Sequence, residues 1–88
     1  FGLFSADQVD VKLKFSKEIS HHIEGRVWHN SQEFNKMKNG NLVLSMKVGL
    51  SPELISWILG WHRNVKVLKP EALVNEIKKN AEEINNLY

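Results

Sequence analysis

The chain has 88 residues, 42% of them hydrophobic and 25% charged, with 12 basic and 10 acidic side chains for a net charge of +2 and no cysteine. That length holds one domain, burying about 60–65% of the surface its unfolded form exposes, and the composition excludes an intrinsically disordered chain. Without cysteine there are no disulfides, thiolate metal sites or thiol catalysis, so stability has to come from packing, and a reducing, cytoplasmic setting is expected.

The opening Phe1-Gly2-Leu3-Phe4 carries no initiator Met and no leader pattern. Residues 1–8 are therefore expected to be a linker stub from a preceding domain, and residues 9–88 a single domain. From Val9 to Phe15, Val9, Val11, Leu13 and Phe15 alternate with Asp10, Lys12 and Lys14, which predicts a strand with one wet face. Ser16 is placed to cap a short amphipathic helix carrying Ile19 and Ile23 on one side, with Gly25 as a left-handed stop.

Between Gln32 and Val48 the turn signal Asn39-Gly40 separates two runs. A two-residue turn would pair Phe34 with Ser45 and set the aromatic ring opposite Leu42, Leu44, Met46 and Val48. A three-residue loop, Lys38-Asn39-Gly40 with Gly40 left-handed, pairs Phe34 with Leu44 and puts all the apolar residues on one face, as a one-sided core requires. Ser51-Pro52-Glu53 then reads as N-cap, N1 proline and an acid near the positive helix end. Leu54, Ile55, Ile58, Leu59 and Trp61 repeat at three and four until His62-Arg63-Asn64. Val65 and Val67 alternate as a short strand. Pro70 opens a last helix in which Leu73, Ile77, Ala81, Ile84 and Tyr88 form a stripe while Glu76, Lys78, Lys79 and Glu82 face water.

Strand, helix, strand, strand, helix, strand and a final helix imply an α+β, ferredoxin-like βαββαβ fold: an antiparallel sheet with helices on one face and an extra C-terminal helix. Lys12, Lys14, Val43, Ser45 and Lys47 are expected on the open face, free for another sheet or domain. The apolar stretches around 42–50 and 55–61 are too short to span a bilayer, so no membrane partner is expected. The charges are scattered along the chain, and no basic face built for phosphates is expected from them.

Of the four histidines, His21 and His22 are adjacent and diverge by about 100° on a helix. They, His29 and His62 make no recognised ligand set, so no metal and no cofactor are expected. No phosphate loop, nucleophile elbow or paired-acid motif is present, and no enzymatic activity is expected. Of the three tryptophans, Trp28, Trp57 and Trp61, core packing is the plain reading, and Trp57 at the edge of its helix stripe is left open between core and interface. Trp28, beside Arg26, His29 and Gln32, is the sharper candidate for a ligand or partner contact.

In combination, several segments carry a resemblance over nearly the whole chain. These are Val11-Lys12-Leu13-Lys14-Phe15-Ser16, Trp28-His29-Asn30-Ser31-Gln32, Asn39-Gly40, Trp57-Ile58-Leu59-Gly60-Trp61 and Val65-Lys66-Val67-Leu68-Lys69-Pro70. The order resembles the C-terminal extension (WCX) of WYL-domain transcriptional regulators, the bacterial proteins often labelled DeoR-like or YafY-like. The family usually has a glycine ending the tryptophan helix where this chain reads His62-Arg63-Asn64, so Asn64 is expected to take the left-handed role. The resemblance implies a parent protein with an N-terminal winged helix-turn-helix on promoter DNA, a central WYL domain and this domain last, serving dimerisation and the response to an effector. The homodimer would form through the parent, and the effector would be a small molecule or a single-stranded nucleic acid. The carried-over contact residues are Arg26, Trp28, His29 and Gln32, and Trp57 joins them from the reading of its helix. A small-molecule-sensing ferredoxin-like domain stands as the alternative.

Overall fold

The computed structural model describes residues 7–88; most of the expected linker, residues 1–6, lies outside them. The chain runs β1 (Val9–Phe15), α1 (Ser20–Glu24), β2 (Glu33–Lys36), β3 (Leu42–Val48), α2 (Pro52–Leu59), β4 (Val65–Lys69) and α3 (Glu71–Asn85). The four strands form one antiparallel sheet in the order β2-β3-β1-β4, the ferredoxin-like arrangement with an extra C-terminal helix. Both crossovers go over the same face. Val11, Leu13 and Phe15 of β1 and Leu42, Leu44, Met46 and Val48 of β3 are buried with Ile23 of α1, Leu54 and Ile58 of α2 and Leu73 of α3. Each such side chain contributes on the order of 1.5–3 kcal/mol of transfer free energy, so these eleven residues carry the fold.

The β2–β3 hairpin takes the three-residue loop. Phe34 pairs with Leu44, Met37 N donates to Asn41 O at 2.8 Å, and Gly40 has φ +92°. α2 also starts as expected: the Ser51 side chain accepts from Leu54 N at 3.1 Å, and Pro52 takes the first helical position, where its missing N–H costs nothing.

Four local expectations fail. Ser16 does not cap α1, which begins only at Ser20 behind Ile19; the Ser16 hydroxyl instead donates to Asn64 Oδ1 at 2.9 Å, tying the end of β1 to the start of β4. Gly25 is right-handed, at φ −79°, because its N–H and that of Arg26 are already satisfied by Ile23 O. After α2, the positive φ falls on His62 at +45°, and Asn64 closes a 3-10 turn with its side chain committed to Ser16. Finally, only Leu73 and Ile77 of the α3 stripe are covered, whereas its Ala81, Ile84 and Tyr88 are exposed, as is Leu87 outside the stripe. Residues 65–69 of β4 make a strand too short to back the whole of a 15-residue helix, and the outer turns run past it.

The opposite face of the sheet carries no described helix. Between β1 and β4 the register shifts: Leu13 faces Val67, but Lys12 faces Lys69, so Leu68 is the extra residue of a bulge. The Lys69–Pro70 peptide bond is cis. Among the described residues no helix is long and apolar enough to cross a membrane.

Candidate functional site

The segment between α1 and β2 has no regular structure, and a single side chain organises it. Gln32 Oε1 accepts from Trp28 N at 2.6 Å and His29 N at 3.2 Å, and its Nε2 donates to Arg26 O at 3.1 Å. Backbone groups that neither a helix nor a strand can satisfy are thus paired by an amide that offers both an acceptor and a donor. His29 belongs to the same framework. Its Nδ1 accepts from Ser31 N at 3.1 Å and lies 2.7 Å from Ser31 Oγ. That hydroxyl in turn accepts from Lys47 N at 2.9 Å, fastening the segment to the end of β3.

This framework points Trp28 inward. Its Nε1 donates to Ile23 O at 2.8 Å, taking up a carbonyl at the end of α1, and its ring lies 5.0 Å from Trp57 and 6.4 Å from Trp61. Trp57 and Trp61 are four apart on the same side of α2 and its extension, 6.0 Å from each other at 81°. Beneath them Phe15 meets both edge to face, at 5.9 and 6.2 Å. Buried Trp61 Nε1 has no hydrogen-bond partner among the described residues. Its ring stands at 81–88° to three aromatic neighbours, the arrangement in which a ring edge meets a π face, and a π face is a weak acceptor for an N–H.

The three half-buried indoles wall an open pocket of about 310 Å³ lined by His22, Arg26, Trp28, Trp57 and Trp61, with the exposed Arg26 and His22 at its rim. Indole walls with a guanidinium at the mouth suit a flat or apolar group that carries negative charge. Of the five residues expected from sequence, Arg26, Trp28 and Trp57 come together here. His29 and Gln32 do not line the pocket; the Gln32 amide serves the backbone instead, and His29 Nδ1 serves Ser31.

Two lining residues, His22 and Trp61, were not among the expected contacts. The four-residue spacing of Trp57 and Trp61 was a readable signal for one of them, whereas nothing local marks His22. The His21 and His22 rings, expected to diverge, lean together at 4.1 Å. Among the described residues no three ligand-type side chains gather around a cation position.

A second, apolar groove of about 330 Å³ lies between α2, β4 and the outer half of α3, lined by residues that include Ile58, Val65, Val67, Ile77 and Ile84. The profile of one protein family, described as the WCX domain, matches residues 7–84. No curated protein matches the chain.

Proposed function

The chain belongs to the WCX domain family, and from this membership we propose that it is the non-enzymatic C-terminal regulatory domain of a WYL-type bacterial transcriptional regulator. In this reading a separate helix-turn-helix domain of the parent holds promoter DNA, and this domain pairs subunits and answers an effector in the cytoplasm. The observation that carries the reading is the tryptophan pocket. Three indoles left half-buried around an open space, with Arg26 and His22 at the rim, form a contact surface rather than a finished core. The pairing role is supported by the uncovered end of the apolar stripe, with Ile84 49% exposed in the groove lined by Ile58, Val65 and Val67.

Sedimentation of the parent regulator with and without residues 9–88 tests the pairing. The expected result is a dimer that becomes monomeric on deletion, and self-association that survives deletion refutes it.

The alternative, a small-molecule sensor, is favoured by the same pocket if its occupant is a metabolite. A thermal-shift panel of metabolites, with Trp28→Ala and Trp57→Ala as controls, distinguishes the two: stabilisation lost in both variants supports a sensor, and silence across the panel a protein contact.

A further inference from the structure

The lysines that look dispersed in the sequence are gathered by the sheet. On its open face Lys12 stands directly across from Lys69 and Lys14 directly across from Lys66, with Lys47 on the neighbouring strand. Asp10 and Glu33 are the acids on the same face, Asp10 opposite Lys47 and Glu33 opposite Ser45. Five lysines against two carboxylates leave an excess of three, more than the +2 of the whole chain, so the protein's entire positive excess sits here. Lys12, Lys14 and Lys47 were expected on this face, and the pairing of β1 with β4 adds Lys66 and Lys69 to them.

The bulge at Leu68 is part of the arrangement: uninterrupted alternation would have turned Leu68 toward this face and Lys69 away from it. Among the described residues the ion pair within 4 Å is Lys36–Glu24, on the helix side; Asp10 stands across from Lys47 beyond that distance, and the Lys12–Lys69 and Lys14–Lys66 pairs have no carboxylate within it. Like charges directly across a sheet are destabilising. Lysines on β4 have a plain use in guarding an edge strand, but Lys12 and Lys14 lie on β1, a central strand, where no edge needs guarding.

We propose that this face docks an acidic polypeptide surface whose carboxylates meet the Lys12–Lys69 and Lys14–Lys66 pairs. The two pairs are separated by about 7 Å along β1, a spacing that carboxylates two apart on a strand or four apart on a helix both satisfy. A second copy paired face to face is the wrong occupant, because it would bring the same positive face. A polyphosphate strand fits less well on three counts. Among the described residues no aromatic side chain lies on this face to stack a base. Both arginines, the residues with bidentate phosphate geometry, lie outside the strands, Arg26 before β2 and Arg63 in the 3-10 turn. And Asp10 and Glu33 line the same groove of about 390 Å³ as Lys12, Lys47 and Lys69, where they would repel a continuous polyanion but pair with a protein partner's own cations. The proposal is independent of pairing and of the tryptophan pocket, which lies on the helix side of the sheet.

The test uses the 88-residue chain with two labelled probes of equal length, a peptide of alternating Glu and Ser and an oligothymidine, read by fluorescence anisotropy. At about 20 mM ionic strength the peptide binds, and it weakens toward about 150 mM, where the Debye length is about 8 Å. Lys12→Glu/Lys69→Glu lowers the peptide affinity about tenfold, since two attractions are lost and two repulsions added, whereas Lys78→Glu/Lys79→Glu on α3 leaves it within about twofold.

A second readout is stability. Lys12→Glu alone replaces a like-charged cross-strand pair with an opposite one, so its melting temperature rises while peptide affinity falls, a split that a structural role for Lys12 does not produce. Tighter binding of the oligothymidine than of the peptide overturns the proposal. So does an equal loss from the α3 variant, no peptide binding at low salt, or a fall in melting temperature in Lys12→Glu.

Discussion

Replacing Gln32 by Ala tests whether this side chain builds the α1–β2 segment or waits for a partner. The substitution removes three hydrogen bonds: from Trp28 N at 2.6 Å, from His29 N at 3.2 Å and to Arg26 O at 3.1 Å. The bond to Arg26 O is exposed, so water replaces it at little cost. The other two are part-buried, and leaving them unmade costs about 1 kcal/mol each. The expected loss is about 2 kcal/mol, which for a domain of this size lowers Tm by roughly 8–16 °C. Urea denaturation followed by far-UV circular dichroism measures it. Gln32→Glu retains the acceptor for both N–H groups and loses only the exposed donor, so it falls between wild type and Gln32→Ala. A loss below about 0.5 kcal/mol in Gln32→Ala, the range of an ordinary surface change, would refute the structural role and return Gln32 to the list of contact candidates.

The glycines separate in the same experiment. Gly40→Ala, at φ +92° and with an added Cβ 3.1 Å from Lys17 Cβ, is expected to cost about 1–2 kcal/mol, and Gly25→Ala, right-handed at φ −79°, to stabilise by about 0.4–1 kcal/mol. Ser51→Ala removes the cap on Leu54 N and should cost about 1 kcal/mol, recovered in part by Ser51→Asp. Along α3, Leu73→Ala should cost about 2–5 kcal/mol and Ile84→Ala less than about 0.5 kcal/mol, and equal costs would mean that the outer turns are packed after all.

The architecture was legible because it rests on period and turn chemistry. Alternation in residues 9–15 and 42–48 has one physical solution once a core must form on one side, and Asn39-Gly40 with a one-sided core leaves one register. What was illegible depends on long-range partners. Gly25 lacks its left-handed turn because Ile23 O was claimed by neighbouring N–H groups, and Ser16 lost its helix to Asn64, 48 residues away. The candidate site divides along the same line. Trp28 was marked by its surroundings, but its meeting with Trp57 and Trp61 comes from the crossover of α2, and Gln32's role emerges only when three backbone groups converge on it. Of the lysine face, Lys12, Lys14 and Lys47 were readable from alternation, whereas Lys66 and Lys69 needed the pairing of β1 with β4 and a bulge that no local signal announces.

Three indoles with ring centres 5.0–6.4 Å apart are close enough for their electronic transitions to mix. The protein therefore carries its own optical gauge: the near-ultraviolet band shape encodes the relative tilt of Trp28, on one crossover, and Trp57 and Trp61, on the other. Any occupant that slides those crossovers past each other announces itself in that spectrum with no dye attached, and one that seats on the far side of the sheet leaves it silent.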